Sequence, residues 1–313
     1  MPLRARVLPL LGAGLLAAAA LTACATPAGD GADDERLTIG VTLNAASNPF
    51  FLAEGAAIEQ AATEAGVTVS VQYANADVAV QSDQIDQFIR QKVDSLIVDA
   101  VDSEGIGPAV LRAKQAGIPV VAIDVAAAGA DATVTSDNVQ AGREACAYLF
   151  RALGGSGKVA IVDGSAVSAI SDRMAGCHQA LAEHPGVELV AVQRADLTRD
   201  KSMTVASNIL TAHPDIDGMF GVNDPTAIGI ALAAQQKGLS IKVVGVDGAK
   251  QLTDLLDDGH IIATSGQAPA ELGRRGLDLA VRLARGETVP SEPQLVPTFL
   301  VDAHTLADYQ SWG

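Results

Sequence analysis

Basic residues are scarce in this chain, with 21 Lys and Arg against 37 Asp and Glu in 313 residues, a formal net charge of −16. Such a surface repels phosphate backbones and anionic headgroups, which argues against nucleic-acid binding. Aromatics are equally sparse, at 3% of the chain, so two placed side by side call for a reason. The five histidines (His178, His184, His213, His260, His304) stand in helical or turn contexts, with no H-E-x-x-H and no Cys or His pair at metal spacing. They are expected at the surface, and no metal is expected. A G-x-S-x-G nucleophile elbow is absent, and Gly154-Gly155-Ser156-Gly157-Lys158 lacks the spacing and the following Ser or Thr of a phosphate loop. It reads as a tight turn before a strand. Gly105-Ile106-Gly107-Pro108 lacks the third glycine of a dinucleotide fingerprint. No catalytic set assembles, so neither an enzyme nor a cofactor is expected.

What the chain does have is apolar mass: 49% hydrophobic against 19% charged residues, enough for a large core in one oversized domain or two ordinary ones. Arg4 and Arg6 precede an uncharged apolar run from Val7 to Leu21. That run suits a secretory signal and falls short of the roughly 20 residues a membrane span needs. It ends in Leu21-Thr22-Ala23-Cys24, which resembles a bacterial lipobox, so cleavage before Cys24 and lipid attachment to its thiol are expected. Losing residues 1–23 removes two positive charges and moves the net charge from −16 to −18. Residues 24–35, rich in Gly, Ala and Asp, have little to bury and read as a flexible tether. Cys146 and Cys177 both fall in amphipathic helical patterns. An oxidising compartment permits a bridge between them, but two buried free thiols is the favoured expectation.

The rest of the chain alternates. Runs rich in β-branched residues at Leu37–Leu43, Val67–Tyr73, Ser95–Asp99 and Pro119–Asp124 are separated by helical spacing over Phe50–Ala65 and Gln81–Gln91. A second series follows: strands at Lys158–Asp163, Val187–Arg194, Asp217–Val222 and Ile241–Asp247, helices near Arg173–Glu183, Lys201–Ala212 and Pro225–Lys237. Strand centres step by about 30, 28 and 24 residues in the first series and about 30, 29 and 25 in the second, which predicts two similar α/β halves, each a doubly wound parallel sheet. Ligands of such sheets sit beyond the carboxyl ends of the strands, where Asn44, Asp99, Asp124, Asp163, Asn223 and Asp247 stand. A strand-end Asp can equally be a helix N-cap.

The most specific segment is Asn48-Pro49-Phe50-Phe51, where two of the few aromatics adjoin at a helix start; taken alone, the rings read as core filler. Together with Asp124, Ser136-Asp137-Asn138, Asn223-Asp224, Val244-Gly245-Val246-Asp247-Gly248 and Gln267, it resembles the periplasmic sugar-binding proteins of ABC transporters, most closely the ribose-binding branch. The resemblance covers about Leu37 to Ala303. It implies a type I periplasmic-binding-protein-like fold, two doubly wound lobes joined by a three-segment hinge. Residues 36–136 plus 268–296 would form the N-terminal lobe, and 137–267 plus 297–313 the C-terminal lobe. By that similarity Asn48, Phe50, Phe51 and Asp124 would contact the ligand from the first lobe, and Arg173, Asn223, Asp247 and Gln267 from the second lobe and hinge. Carboxylates, amides and guanidinium groups each bond adjacent hydroxyls, and aromatic rings cover the C–H faces of a sugar.

Two positions depart from the ribose pattern: Val125 stands where an arginine is usual and Leu197 where an aromatic is usual. A less polar pocket is expected, fitted to a monosaccharide or polyol other than ribose. The implied protein is a monomer anchored on the extracytoplasmic face of the membrane through Cys24, in the periplasm if an outer membrane exists, handing its ligand to an ABC-transporter permease. A sugar-sensing receptor for a membrane signalling protein would share the pocket. A lac-repressor-type regulator would need a basic helix-turn-helix where this chain has its export signal. A hydrolase would need paired carboxylates at a glycosidic bond, and hydroxyl binding explains Asp124 and Asp247 without one.

Overall fold

The computed structural model describes residues 36–165, 167–256 and 259–313. The expected signal segment, Cys24 and the tether lie outside the described residues. Among the described residues no helix is long and apolar enough to cross a membrane.

The first half alternates as its sequence does: β1 (Thr38–Leu43), α1 (Pro49–Ala65), β2 (Thr68–Tyr73), α2 (Val78–Gln91), β3 (Ser95–Val98), α3 (Gly107–Gln115), β4 (Val120–Ile123) and β5 (Ala132–Ser136). The second half runs α4 (Asn138–Ala152), β6 (Ser156–Asp163), α5 (Ser168–Glu183), β7 (Gly186–Arg194), α6 (Arg199–Ala212), β8 (Gly218–Gly221), α7 (Asp224–Lys237), β9 (Lys242–Asp247), α8 (Lys250–Thr253) and β10 (Ile261–Gly266). Then come α9 (Pro269–Ala284), β11 (Gln294–Val296) and β12 (Phe299–Val301). Two six-stranded sheets result, ordered β2-β1-β3-β4-β5-β11 and β7-β6-β8-β9-β10-β12. The orders are the same, position for position. All pairings are parallel except β10 with β12.

Strands buried on both faces explain the near-continuous apolar runs: every residue of β3 and β4 is buried, as are Ile39, Val41 and Leu43 of β1. Helix starts are chemically marked. Asn48 caps α1 by accepting from the Phe50 N–H with Pro49 in the first turn, Asp77 caps α2, Asp137 caps α4, and Asn223 caps α7. The Gly154-Gly155 pair, both at positive φ, makes the tight turn into β6.

The chain crosses between the sheets three times. It leaves the first after β5 for α4, returns after β10 because α9 packs on α1, β3, β4 and β5, and crosses back between β11 and β12 through Pro297 and Thr298. The protein is thus two doubly wound parallel-sheet lobes joined by three strands of chain.

Cys146 and Cys177 form a disulfide, their Cα atoms 5.2 Å apart. This corrects the expectation of free thiols. The cause is close helix packing: a Cβ on Gly142 would stand 1.9 Å from the Arg173 carbonyl oxygen, and one on Gly176 2.0 Å from that of Val139. These glycines let α4 and α5 approach until the two thiols, one turn on from Gly142 and next to Gly176, come within bonding reach. Of the histidines, His178 and His304 are exposed while His184, His213 and His260 are half-buried. His184 lies at 5.4 Å from the Phe150 ring and its Nδ1 is 2.8 Å from the Ala180 carbonyl oxygen, a packing role rather than a purely surface one.

Candidate functional site

The carboxyl ends of the two sheets face one cavity of about 60 Å³. One water needs roughly 10–15 Å³ on this measure, so the space suits a molecule displacing about five waters, the size of a monosaccharide. From the first lobe it is lined by Asn44 after β1, Asn48, Phe50 and Phe51 opening α1, Asp99 and Ala100 after β3, and Asp124 and Val125 after β4. From the second come Ser165, Val167, Ala169, Ile170 and Arg173 around the start of α5, and Leu197, Asn223, Asp247 and Gln267 at the ends of β7, β8, β9 and β10. All ten ligand contacts expected from the sequence therefore share one cavity, although they come from both lobes.

The two ends of the cavity differ in how their polar groups are held. At the second-lobe end, Arg173 is buried and braced from behind: its Nε donates to Asn138 Oδ1 at 2.9 Å, and its Nη1 to the Val222 carbonyl at 2.8 Å and to Asp247 Oδ1 at 3.4 Å. Asn138 in turn donates to Thr135 Oγ1 and to the Ser136 carbonyl, both at 3.1 Å. Asp247 also accepts from Gln267 Nε2 at 2.8 Å and from the Asp224 N–H at 3.3 Å. Burial raises the Asp247 carboxyl above its usual range, and these donors pull it back. Asp224, just behind, accepts from Thr264 Oγ1 at 2.6 Å and from the Ala249 N–H at 2.8 Å.

At the first-lobe end, Asp124 Oδ1 has no donor among the described residues. Burial pushes its carboxyl up to about 7; Arg173 across the cavity opposes the shift and Asp247 adds to it. Three lining residues adopt left-handed or similarly rare backbone angles: Asp124 at φ 61°, Leu197 at φ 64° and Asp247 at φ 139°. Such conformations persist only where surrounding structure holds them. For Asp124 the holding bonds are its N–H to the Val134 carbonyl at 2.9 Å and Thr135 Oγ1 to its own carbonyl at 2.5 Å.

The walls between are apolar. Phe50 and Phe51 meet edge to face at 5.5 Å, and Phe50 packs edge to face on Trp312 at 5.4 Å. Val125 and Ala127 of the first lobe join Val167, Ala169 and Ile170 of the second in one hydrophobic cluster. Direct hydrogen bonds close the lips: Ala126 N–H to Ser168 Oγ at 2.8 Å, and Ser168 N–H to Ser103 Oγ at 3.2 Å.

Of the strand-end carboxylates, Asp99, Asp124 and Asp247 line the cavity and cap no helix, while Asp163 accepts from the Gly164 N–H instead. Asn223 does both, lining the cavity and capping α7 through a 3.0 Å bond from the Thr226 N–H. Sequence reasoning missed Asp99 as a lining residue, though it had marked its position, and gave no sign of Glu54 near it. It also missed Asn138, whose neighbours it quoted, and Trp312. The Trp312 Nε1 donates to the Gln267 carbonyl at 3.1 Å.

Comparison with known proteins agrees with this architecture. A model of the periplasmic binding protein domain matches residues 39–288. The ribose import binding protein of Bacillus subtilis is 34% identical over 279 residues, which cover 86% of this chain and 90% of that protein. The xylitol-binding protein of Mycolicibacterium smegmatis is 32% identical over 283 residues, 88% of this chain and 80% of that one. An ABC transporter solute binding protein from Mycobacterium smegmatis with bound glycerol superposes with a TM-score of 0.84 at 29% identity, covering 89% of this chain and 99% of that structure.

Proposed function

Because the chain belongs to the periplasmic binding protein family, we propose that it captures a monosaccharide or related polyol between its lobes and delivers it, chemically unchanged, to an ABC-transporter permease. One observation carries this reading: residues from both lobes converge on a monosaccharide-sized cavity that alternates fixed polar groups with aromatic and aliphatic walls. Asp124 and Asp247 come from opposite lobes, Asn48, Asn223, Gln267 and Arg173 supply amide and guanidinium groups, and Phe50 and Phe51 cover a C–H face.

The mechanism is a shift of the hinge equilibrium. In an open form each lobe presents half of this set to water. A ligand that touches both halves adds contacts only when the lobes close, so it favours closure by the free energy of those added contacts. The closed shape is what a permease would read.

Val125 and Leu197 make the wall less polar than a ribose site would need, which favours a ligand with a methyl, methylene or deoxy carbon toward Val125. Cys24 would carry the lipid that keeps the protein, a monomer, on the extracytoplasmic face of the membrane. Calorimetric titration against neutral pentoses, hexoses, deoxysugars and pentitols tests the ligand class, with binding by at least one of them expected. No binding by any of them would sink the function, and tightest binding by ribose would sink the narrower claim. Mass spectrometry of the mature N-terminal peptide tests the anchor: a diacylglyceryl mass on Cys24 is expected, and an unmodified terminus would refute it.

A further inference from the structure

Three carboxyl groups gather at the first-lobe end of the cavity: Glu54 from α1, Asp99 after β3 and Asp124 after β4. Glu54 is 0% and Asp99 1% exposed. No other group among the described residues donates at hydrogen-bond geometry to either oxygen of Glu54, to either of Asp99 or to Oδ1 of Asp124, although the Asn44 backbone N–H is near enough to draw the Asp99 carboxyl down. At the other end both oxygens of Asp224 and of Asp247 are taken by donors. An unpaired buried polar group costs roughly 1–3 kcal/mol, and more when charged, so these first-lobe carboxyls await a partner where Asp224 and Asp247 do not, and Gln267 Oε1 is, among the described residues, the one side-chain oxygen lining the second-lobe end that shares their condition. Asp99 lines the cavity, and Glu54, which does not line it, is near enough to interact with Asp99.

Two buried carboxyls that interact with each other do not both ionise readily. Burial, together with the Asp99 and Asp124 charges, holds Glu54 well above the ordinary carboxylate range, and burial with Asp124 does the same to Asp99. In its protonated form Glu54 is a donor to Asp99 and leaves Asp99 its outward lone pairs. The charged and titratable groups around them are Tyr73 and Glu59 near Glu54, Asp124 beside Asp99, and Arg173 and Asp247 across the cavity. Among the described residues no group of three or more His, Cys, Asp or Glu is placed to hold a metal ion. A hydroxyl of a ligand entering the cavity is a donor that these oxygens can accept from.

We propose that Asp99 is a further ligand-contacting residue, held by Glu54 as its positioning residue, and that Asp99 and Asp124 together accept hydrogen bonds from two neighbouring hydroxyls of a neutral ligand. The proposal rests on the sugar- or polyol-binding reading above. It adds a specificity: an aldonate or uronate that brings its carboxylate to this end meets like charge and is rejected, whereas a vicinal diol completes both acids.

The experiment is calorimetric titration of the exported protein and its Asp99→Asn and Glu54→Gln variants with the neutral sugar or polyol that binds best, its monodeoxy analogues, and the corresponding sugar acid and amino sugar. Asp99→Asn is expected to weaken the parent ligand roughly tenfold or more, with that loss absent for the one analogue lacking the hydroxyl that Asp99 receives. Glu54→Gln, which keeps a donor facing Asp99, is expected to hold affinity within roughly threefold and to flatten the wild-type decline in affinity at alkaline pH, where the Glu54 proton is lost. Should no ligand bind the wild type, the sugar-binding reading fails and this proposal with it. If a ligand binds but Asp99→Asn costs every analogue equally or costs nothing, the proposal alone fails. Binding of the sugar acid equal to that of the parent, or tenfold tighter binding of the amino sugar, also overturns it. A ligand-bound crystal structure decides without any variant: a ligand hydroxyl within hydrogen-bond distance of Asp99 supports the contact, and a ligand more than about 4 Å away refutes it.

Discussion

Asp124 and Asp247 hold unfavourable backbone angles at the cavity, one from each lobe, and each points a buried carboxyl where water alone would be a poor exchange for charge. A hydrogen bond to a charged group contributes roughly 1.5–3 kcal/mol, so Asp124→Ala or Asp247→Ala should weaken ligand binding by about one to two powers of ten in a calorimetric titration. Wild-type affinity in both variants would remove these residues from the site. Their titration has a definite sign. The Asp124 carboxyl is held up to about 7 in the folded protein, and burial raises Glu54, Asp99 and Asp224 in the same direction. Unfolded, these acids ionise near 4, so between about pH 4 and pH 7 the folded state binds more protons and stability falls as pH rises. The melting temperature of the unliganded protein should accordingly increase from pH 7.5 to pH 5.5. Asp124→Asn should show a smaller increase, and a melting temperature that falls on acidification over that range would contradict the assignment.

Among the elements, the α4 and α5 pair bears a covalent link whose partners are 31 residues apart in sequence. Closing a loop of that length is worth about 3.7 kcal/mol in the chain-entropy picture. Replacing both Cys146 and Cys177 by Ala should lower the melting temperature by roughly 5 °C or more. Because Arg173 sits on α5 beside Gly142, ligand affinity is a second readout of the same change. The C-terminal segment is the other telling element. Trp312 touches Phe50 of the first lobe with its ring and Gln267 of the second with its Nε1, while its carbonyl accepts from the Lys250 N–H at 2.9 Å. Tyr309 Oη donates to the Gly248 carbonyl at 2.9 Å. The segment supports two cavity-lining residues from outside the cavity. An aromatic pair of this kind contributes about 0.5–1.5 kcal/mol, so Trp312→Ala should weaken ligand binding roughly two- to tenfold, as titration would show.

For the molecule as a whole, function depends on the balance between open and closed lobes. In the structure the lips are joined through Ser168, which accepts from Ala126 and donates to Ser103, and by the apolar seam around Val125 and Ile170. Ligand addition should reduce the radius of gyration in small-angle scattering. Ser168→Ala deletes one lip bond worth about 0.5–1.5 kcal/mol, and should cost roughly two- to tenfold in affinity without altering any cavity wall. An unchanged radius on saturation would show that closure is not the response to ligand.

The repeated alternation of strands and helices was legible because each half buries its strands on both faces, and a both-face-buried strand writes itself as a short apolar run. The cavity residues were legible because they stand at strand ends and helix starts, places that local spacing locates and that the sugar-binding resemblance picked out by residue type. The later elements were not. Strands β11 and β12 have only three residues each, β5 alternates buried and half-buried positions instead of forming an apolar run, β10 is interrupted by Thr264, Ser265 and Gly266, and α9 returns to the first lobe for reasons of packing that no local pattern records. The disulfide depended on how closely Gly142 and Gly176 allow two helices to approach, and the Glu54–Asp99 pairing on which strand end a helix side chain happens to face. Periodicity and residue type act along the chain, and so the sequence alone determined two wound sheets and the chemistry at their rims. Distances between segments far apart in sequence arise only when the core packs, and so the tertiary structure alone decided which acids gather at the cavity, which thiols bond and what the C-terminus supports.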